Sequence, residues 1–426
     1  MVAHARRHDN DCEARQTVPM VPASVQRPLG HFKISYFFVL LLLFMMRTIP
    51  PIQSATASRA HWTGSRLNTT NYNKESALIE QAKVDYLQAL QRPSHASRKE
   101  LLCATFVFGG PKAASVFLAN LHNSQVVCDW AVVVYDGDAS LVCPSSPSSG
   151  LPGASGSYAG QAGRVVHCRL APAALFLGLG MFNSTSQNHS SLRLTIPKTL
   201  LYQELAPYLP SYQRVLLLDE DISLKGFKTG AFLGIWSCAF GTERPLVVQA
   251  VVAENTQFLG YMNARAWRGK DVLASASGLI EQQAPAFDAL FLEWFLTRVL
   301  PLPRESVRAN GVDWGHDRTW CGAAQMYARL VLHYPSTPQV DGSIPYYSAC
   351  AILPGVPPIH HLNMRSMRSK RTQRQRYRRG GRVVVQTYID LFPTWTLLDI
   401  SSGPDPRGKR EYKKVLGAES ECAAIV

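Results

Sequence analysis

Apolar residues fall into three kinds of stretch along this chain. Residues 34–46 (ISYFFVLLLLFMM) form an unbroken uncharged run between Lys33 and Arg47. Over residues 76–91 the apolar positions Leu78, Ile79, Ala82, Tyr86, Leu87 and Leu90 recur at helical spacing. That spacing predicts an amphipathic helix, capped by Ser76 and ended before Pro93. Beyond it, short continuous apolar runs alternate with helical ones. Residues 101–108, 126–135, 164–170, 214–218 and 246–252 predict strands, and 112–122, 197–208 and 286–300 predict helices. Strands with near-continuous apolar interiors, joined by helices, predict an α/β fold with a mostly parallel sheet covered on both faces. Ligands of such sheets sit beyond the carboxyl ends of the strands.

Polar stretches divide the chain further. Residues 1–33 read as a cytoplasmic tail, 34–52 as a signal-anchor segment, and 53–97 as a Ser/Thr-rich stem carrying the amphipathic helix. The body spans 98–364, interrupted by a Ser/Gly/Pro-rich insertion at 144–163 that is too polar to pack. A basic segment, 365–382, and a C-terminal extension, 383–426, follow. The apolar run is short for a membrane span, but Phe32, Ile49 and Ile52 extend it, and Lys33 and Arg47 would snorkel to the interfaces. Its long leader, with the only A-x-A site as far on as Ala55 and Ala57, favours an uncleaved anchor over a signal peptide. Arg6, Arg7, Arg15, Arg27 and Lys33 set the tail on the cytoplasmic side and the body in the lumen, a single-pass type II arrangement.

Charge changes this picture less than its total suggests. The 426 residues carry a formal +14. The basic segment contributes nine Lys/Arg and no acid, and residues 1–33 contribute +2, so subtracting both leaves only +3 for the rest. This argues against a uniformly basic nucleic-acid surface, and no nucleic-acid partner is expected. The basic run reads as a solvated loop, or as a contact for an acidic glycan, a diphosphate or the anionic membrane. Three N-x-S/T sequons (Asn68, Asn183 and Asn188) all follow the anchor. Eight of the nine cysteines do too; their even number permits disulfides, and no C-x-x-C pair supports a zinc site.

Three groups of residues can carry chemistry. Asp219-Glu220-Asp221 follows the strand RVLLL, and two carboxylates two apart at a strand end can meet one hard cation that also bridges a diphosphate; a solvated turn is the plain alternative. The stretch NGVDWGHDRTWC sets Asp313, His316 and Asp317 in a Gly/Trp-rich turn entering a helix, where Asp317 would be a general base or merely a cap. His360 and His361 follow Pro357-Pro358-Ile359; an imidazole joined to two carboxylates suits octahedral Mn²⁺, although paired histidines are commonly structural.

The order of motifs resembles the domain-of-unknown-function family 707, single-pass proteins of plants and algae that look like GT-A nucleotide-sugar glycosyltransferases. The resemblance covers roughly residues 101–363. It rests on Val133-Val134-Tyr135-Asp136-Gly137, Ile196-Pro197-Lys198, Leu218-Asp219-Glu220-Asp221-Ile222 and Leu246-Val247-Val248-Gln249-Ala250. It continues through Ile280-Glu281-Gln282-Gln283-Ala284-Pro285-Ala286-Phe287, Trp314-Gly315-His316-Asp317 with Cys321, and Ile359-His360-His361. It implies a GT-A-like sheet, with Asp219 and Asp221 holding Mn²⁺ on the donor diphosphate and His361, rather than His360, completing the metal. It further implies that Asp317, with Asp313 beside it, serves as acceptor base and that Glu281 lines the acceptor side. Asp136, with Asp138 near it, would face the nucleotide, and Lys198, with Glu220 close by, the phosphates.

The expectation is a metal-dependent glycosyltransferase in the Golgi or ER membrane, using a nucleotide-sugar donor and a glycan, protein or lipid acceptor. The alternative is a GT-A-like shell that binds a glycan or a partner without turnover. The glycine-rich insertion and the basic run depart from the family pattern, and they bear on the acceptor more than on the donor.

Overall fold

In the computed structural model the apolar run expected as the first strand forms β1 (Lys99–Gly109), whose interior residues 101–107 are all buried. The structure describes residues 69–92, 97–143, 164–171, 198–240, 244–253, 262–270, 272–303, 315–334, 349–362, 371–392 and 414–415. The chain divides into two units, 1–64 and 65–426. The first, with the expected anchor, lies outside the described residues, as do the insertion at 144–163 and all three sequons. Among the described residues no helix is long and apolar enough to cross a membrane.

Helix α1 (Thr69–Gln91) begins seven residues before Ser76, which is therefore interior to the helix and does not cap it. After β1, Gly110 and Pro111 start α2 (Pro111–Leu121), with proline in the first turn where its missing N–H is no loss. Then come β2 (Asp129–Gly137), β3 (Val165–Leu170), the short α3 (Lys198–Tyr202), β4 (Tyr212–Asp219), β5 (Ile222–Ser223) and α4 (Thr229–Cys238). β6 (Val247–Ala250), β7 (Ala274–Ala276) and β8 (Ala286–Asp288) lead to α5 (Ala289–Trp294), which passes into a π-helical turn (Phe295–Val299). α6 (Asp317–Leu330), β9 (Cys350–Leu353), β10 (His360–His361), α7 (Arg371–Leu391) and β11 (Lys414–Val415) follow.

The main sheet runs β11-β7-β9-β6-β8-β4-β1-β2-β3. β1 pairs in parallel with β2 and β4, β2 with β3, and β6 with β9. β8 runs against both β4 and β6, and β7 against both β9 and β11. Most strands therefore share one direction, and the fold is a mixed α/β one: a large, mostly parallel sheet flanked by helices. From β1 the chain steps outward through β2 and β3 on one side, whereas β4 lies on the other. The strand order thus reverses at the β1/β4 junction, where such sheets open a crevice at their carboxyl ends.

Three further expectations change. The helix expected over 197–208 is confined to α3, followed by a 3-10 turn over Gln203–Leu205. The apolar run 286–300 is not one helix. Its first three residues form β8, and Asp288 ends that strand by accepting the backbone N–H groups of Leu290 and Phe291 as the N-cap of α5. Continuous apolarity cannot tell a buried strand from a buried helix, and here the open edges of β4 and β6 recruit the segment. Nor is the basic run wholly a loop, because 371–382 opens α7. That helix is fastened by its other end, where Val384, Tyr388 and Phe392 join the core.

Disulfides Cys103–Cys128, Cys143–Cys168 and Cys321–Cys350 tie β1 to the approach of β2, the exit of β2 to β3, and α6 to β9. Cys238 is disulfide-bonded as well.

Candidate functional site

β4 delivers Asp219 to the β1/β4 junction, in register with Phe106. The chain then turns through Glu220 and Asp221 into β5. That short strand is clamped by the buried Asn120 of α2, whose side-chain amide donates to the Ile222 carbonyl at 2.8 Å and accepts the Leu224 N–H at 2.8 Å. β5 pairs antiparallel with β10, His361 opposite Ile222 and His360 opposite Ser223, and Leu362 N–H donates to the Asp221 carbonyl at 2.8 Å. Neighbouring residues of a strand face opposite ways, so the pairing sorts the two histidines. His361 Nε2 lies 3.4 Å from Asp221 Oδ1, with its side chain only 3% exposed.

Asp219 bears a different partner: the Lys198 ammonium, at the start of α3, is ion-paired with Asp219 Oδ2. Burial pushes the Asp219 carboxyl above the usual carboxylate range, and the neighbouring Asp221 charge pushes the same way, while Lys198 and His361 pull it down. Two largely buried carboxylates held next to one another create a demand for positive charge that one lysine meets only in part.

Glu220 faces the other way. Its Oε2 accepts the Phe108 N–H at 2.7 Å and the Tyr135 hydroxyl at 3.0 Å, so it braces the ends of β1 and β2 against the turn after β4. Asp136 accepts its own neighbour's N–H, from Gly137, at 2.7 Å. Asp138 caps a short turn by accepting the Ser140 N–H and hydroxyl, bonds that hold its carboxyl below its ordinary value. Gly137 has φ +87°, and a Cβ there would stand 2.6 Å from the Gly109 carbonyl oxygen, so the loop rests directly on the end of β1.

The segment carrying Glu281 lies on the opposite flank. Gln283 C=O accepts the Asp219 N–H at 2.9 Å and Pro285 C=O accepts the Leu217 N–H at 2.8 Å, which lays residues 283–285 along β4. The Glu281 N–H donates to Oε1 of the fully buried Gln249 on β6 at 3.0 Å. The Gln249 side-chain nitrogen has no hydrogen-bond partner among the described residues.

Asp317 opens α6 and accepts the Gly315 N–H at 3.1 Å, closing its own turn. That turn packs on α7. A Cβ on Gly315 (φ +113°) would stand 2.7 Å from the Gly381 carbonyl oxygen, and the buried His316 Nδ1 is 2.9 Å from the Tyr388 hydroxyl. Trp320 is buried against Phe287 of β8, with ring centroids 5.0 Å apart. Asp313 and Trp314 lie outside the described residues.

The fold thus gathers Asp219, Asp221, His361 and Lys198 at the carboxyl end of β4, with Glu281 on the flanking segment and Asp136 and Asp138 at the end of β2. Among the described residues no three His, Cys, Asp or Glu side chains converge into a preformed metal cage. Asp219 and Asp221 offer carboxylate oxygens and His361 an imidazole nitrogen, donor types that suit a divalent cation such as Mn²⁺, and the cation now on Asp219 is the lysine. Tyr135, Asn120 and Gln249 were not among the expected site residues, although Tyr135 and Gln249 stand in motifs that carry the resemblance; Asn120 carried no signal. No family model matches the chain, and no curated protein matches it.

Proposed function

We propose that this protein is a metal-dependent glycosyltransferase with a GT-A-like fold, moving a sugar from a nucleotide-sugar donor to an acceptor in the secretory pathway. The observation that carries the proposal is the meeting of Asp221 and His361, from strands far apart in sequence, beside Asp219 at the carboxyl end of β4. Asp219, Asp221 and His361 would hold Mn²⁺, which when bound stabilises the charge on a departing diphosphate. Lys198, which is paired with Asp219, would bring a positive charge to the same phosphates. The acceptor hydroxyl needs a base, and the carboxylates set aside for this are Glu281, on the segment flanking β4, and Asp317, at the head of α6. The disulfides suit an oxidising lumen, as a type II anchor at 34–52 would require.

The test is a panel of nucleotide sugars offered to the full-length chain with and without Mn²⁺, scored by released nucleotide. The expected result is Mn²⁺-dependent release that Asp221→Ala lowers by about a hundredfold or more. Full turnover in Asp221→Ala, or no release from any donor, overturns the enzyme reading. Nucleotide binding that is lost on Asp219→Asn but never accompanied by release would identify a non-catalytic shell instead.

A further inference from the structure

Six of the first twelve residues of α7 are arginine, none is lysine, and no acidic residue stands in the helix before Asp390. At 3.6 residues per turn, positions 371, 374, 378 and 382 fall on one face, within about 80° of arc and along about 16 Å of axis. Arg376 and Arg379 fall elsewhere around the helix. Like charges three and four residues apart oppose helix formation, and Gly380-Gly381 adds two poor helix formers. The helix is held by its other half. Val384, Tyr388 and Phe392 are core residues, Tyr388 meets His316, and the Gly381 carbonyl rests against Gly315. The arginine positions are therefore carried at fixed spacing on a docked helix, and Arg382, where the docked half begins, is exposed.

That spacing selects among anions. Positions four apart on a helix lie about 6 Å apart along its axis, inside the roughly 8 Å over which charges act together at physiological salt. A row of this kind suits a linear anion with charges repeated along its length better than a single phosphate. The guanidinium fork pairs bidentately with carboxylates and with tetrahedral oxyanions. The disulfides suit an oxidising compartment, apart from nucleic acids and from the cytoplasmic leaflet whose anionic lipids draw basic segments. The linear polyanions of such a compartment are acidic glycans.

We infer that the arginine face of α7 is a binding surface for a linear acidic glycan, one that carries carboxylates or sulfates along its chain. Leu362, whose N–H is tied to the Asp221 carbonyl, and Arg371 are nine residues apart, so the arginine face begins within about 30 Å of the end of β4. An extended glycan of several sugars covers that distance. The surface stands whether or not a sugar is transferred; naming its ligand as the acceptor rests on the proposed reading of the site.

The experiment is fluorescence anisotropy of labelled polygalacturonate, dextran sulfate and neutral dextran on the full-length chain, without metal or nucleotide. The acidic chains should bind at about 0.15 M salt and lose about tenfold or more in affinity at about 0.5 M, while dextran should not bind. The tighter of the two acidic chains tells whether carboxylate or sulfate is preferred. Arg374→Gln with Arg378→Gln should weaken both by about tenfold or more, and Arg376→Gln with Arg379→Gln, which removes the same charge from other faces, by about threefold or less. Arg374→Lys with Arg378→Lys keeps the charge and should stay within about threefold of wild type. Urea unfolding of each variant establishes that it is folded.

Three outcomes overturn the surface. Acidic chains that do not bind at physiological salt would make the arginines a solvated face. Equal losses in the two glutamine pairs would make the effect one of net charge. Tighter binding of charge-matched polyuridylate, or of phosphatidylserine micelles, would name another class of partner. Because neither metal nor donor is present, these results stand apart from the nucleotide-sugar panel: glycan binding without transfer sinks only the enzyme reading, and transfer without glycan binding sinks only this surface.

Discussion

His361 stands 3.4 Å from Asp221, Nε2 to Oδ1, because two-residue strands far apart in sequence pair as β5 and β10. The contact is held from both sides: Asn120 clamps β5, and the Leu362 N–H ties the Asp221 carbonyl to the end of β10. If this pair forms part of a metal site, His361→Ala should weaken Mn²⁺ by roughly 10–100-fold, the range seen when an ordered shell around a metal is broken. His360→Ala, on the other face of the same strand, should change it little. Equal losses in both variants would show that the strand, and not the imidazole, is what matters.

Glu220 offers a prediction about stability rather than chemistry. Its carboxylate answers two donors, the Phe108 N–H and the Tyr135 hydroxyl. Glu220→Ala removes both bonds and should lower unfolding free energy by about 1–3 kcal/mol. Tyr135→Phe removes one donor along with its need for a partner, and should cost about 0.5–1.5 kcal/mol. Urea unfolding of the two single variants and the double variant checks this, with the double losing less than the sum because the pair shares one bond.

The His316–Tyr388 contact sets an acid dependence. Burial depresses His316 to about 3, from an ordinary value of 6.5. Between those values the unfolded chain binds a proton that the folded chain refuses, so stability rises with pH across this window and is lost as pH falls from about 6.5 toward 3. The slope from this group is at most about 1.4 kcal/mol per pH unit. Urea unfolding at a series of pH values should show the slope in wild type and a shallower one in His316→Gln. Because His316 is one of the contacts between the head of α6 and α7, limited trypsin digestion should also cut the arginine-rich α7 faster at pH 5 than at pH 7.5, once corrected for trypsin's own pH profile.

The parts legible from sequence were those set by local pattern. Continuous apolar runs marked β1, β2, β3, β4 and β6, and the carboxylates straight after RVLLL fall, as expected, at the carboxyl end of β4. The even cysteine count after residue 33 allowed the bridges now seen. Each of these signals lies within a few residues, where side-chain period and backbone preference act directly.

What tertiary structure decided was the partner of each group. It set Lys198 on Asp219 and His361 on Asp221, turned Glu220 inward as a brace, drew 286–288 into the sheet, and wound 371–391 into a helix docked on the Gly315-His316 turn. Sequence could propose that these residues were polar, paired or apolar. Which of two adjacent carboxylates faces a cation, and which of two histidines meets a carboxylate, depends on strand register and on which sheet edge is open. Those are settled only when distant segments compete for the same hydrogen bonds and the same buried surface.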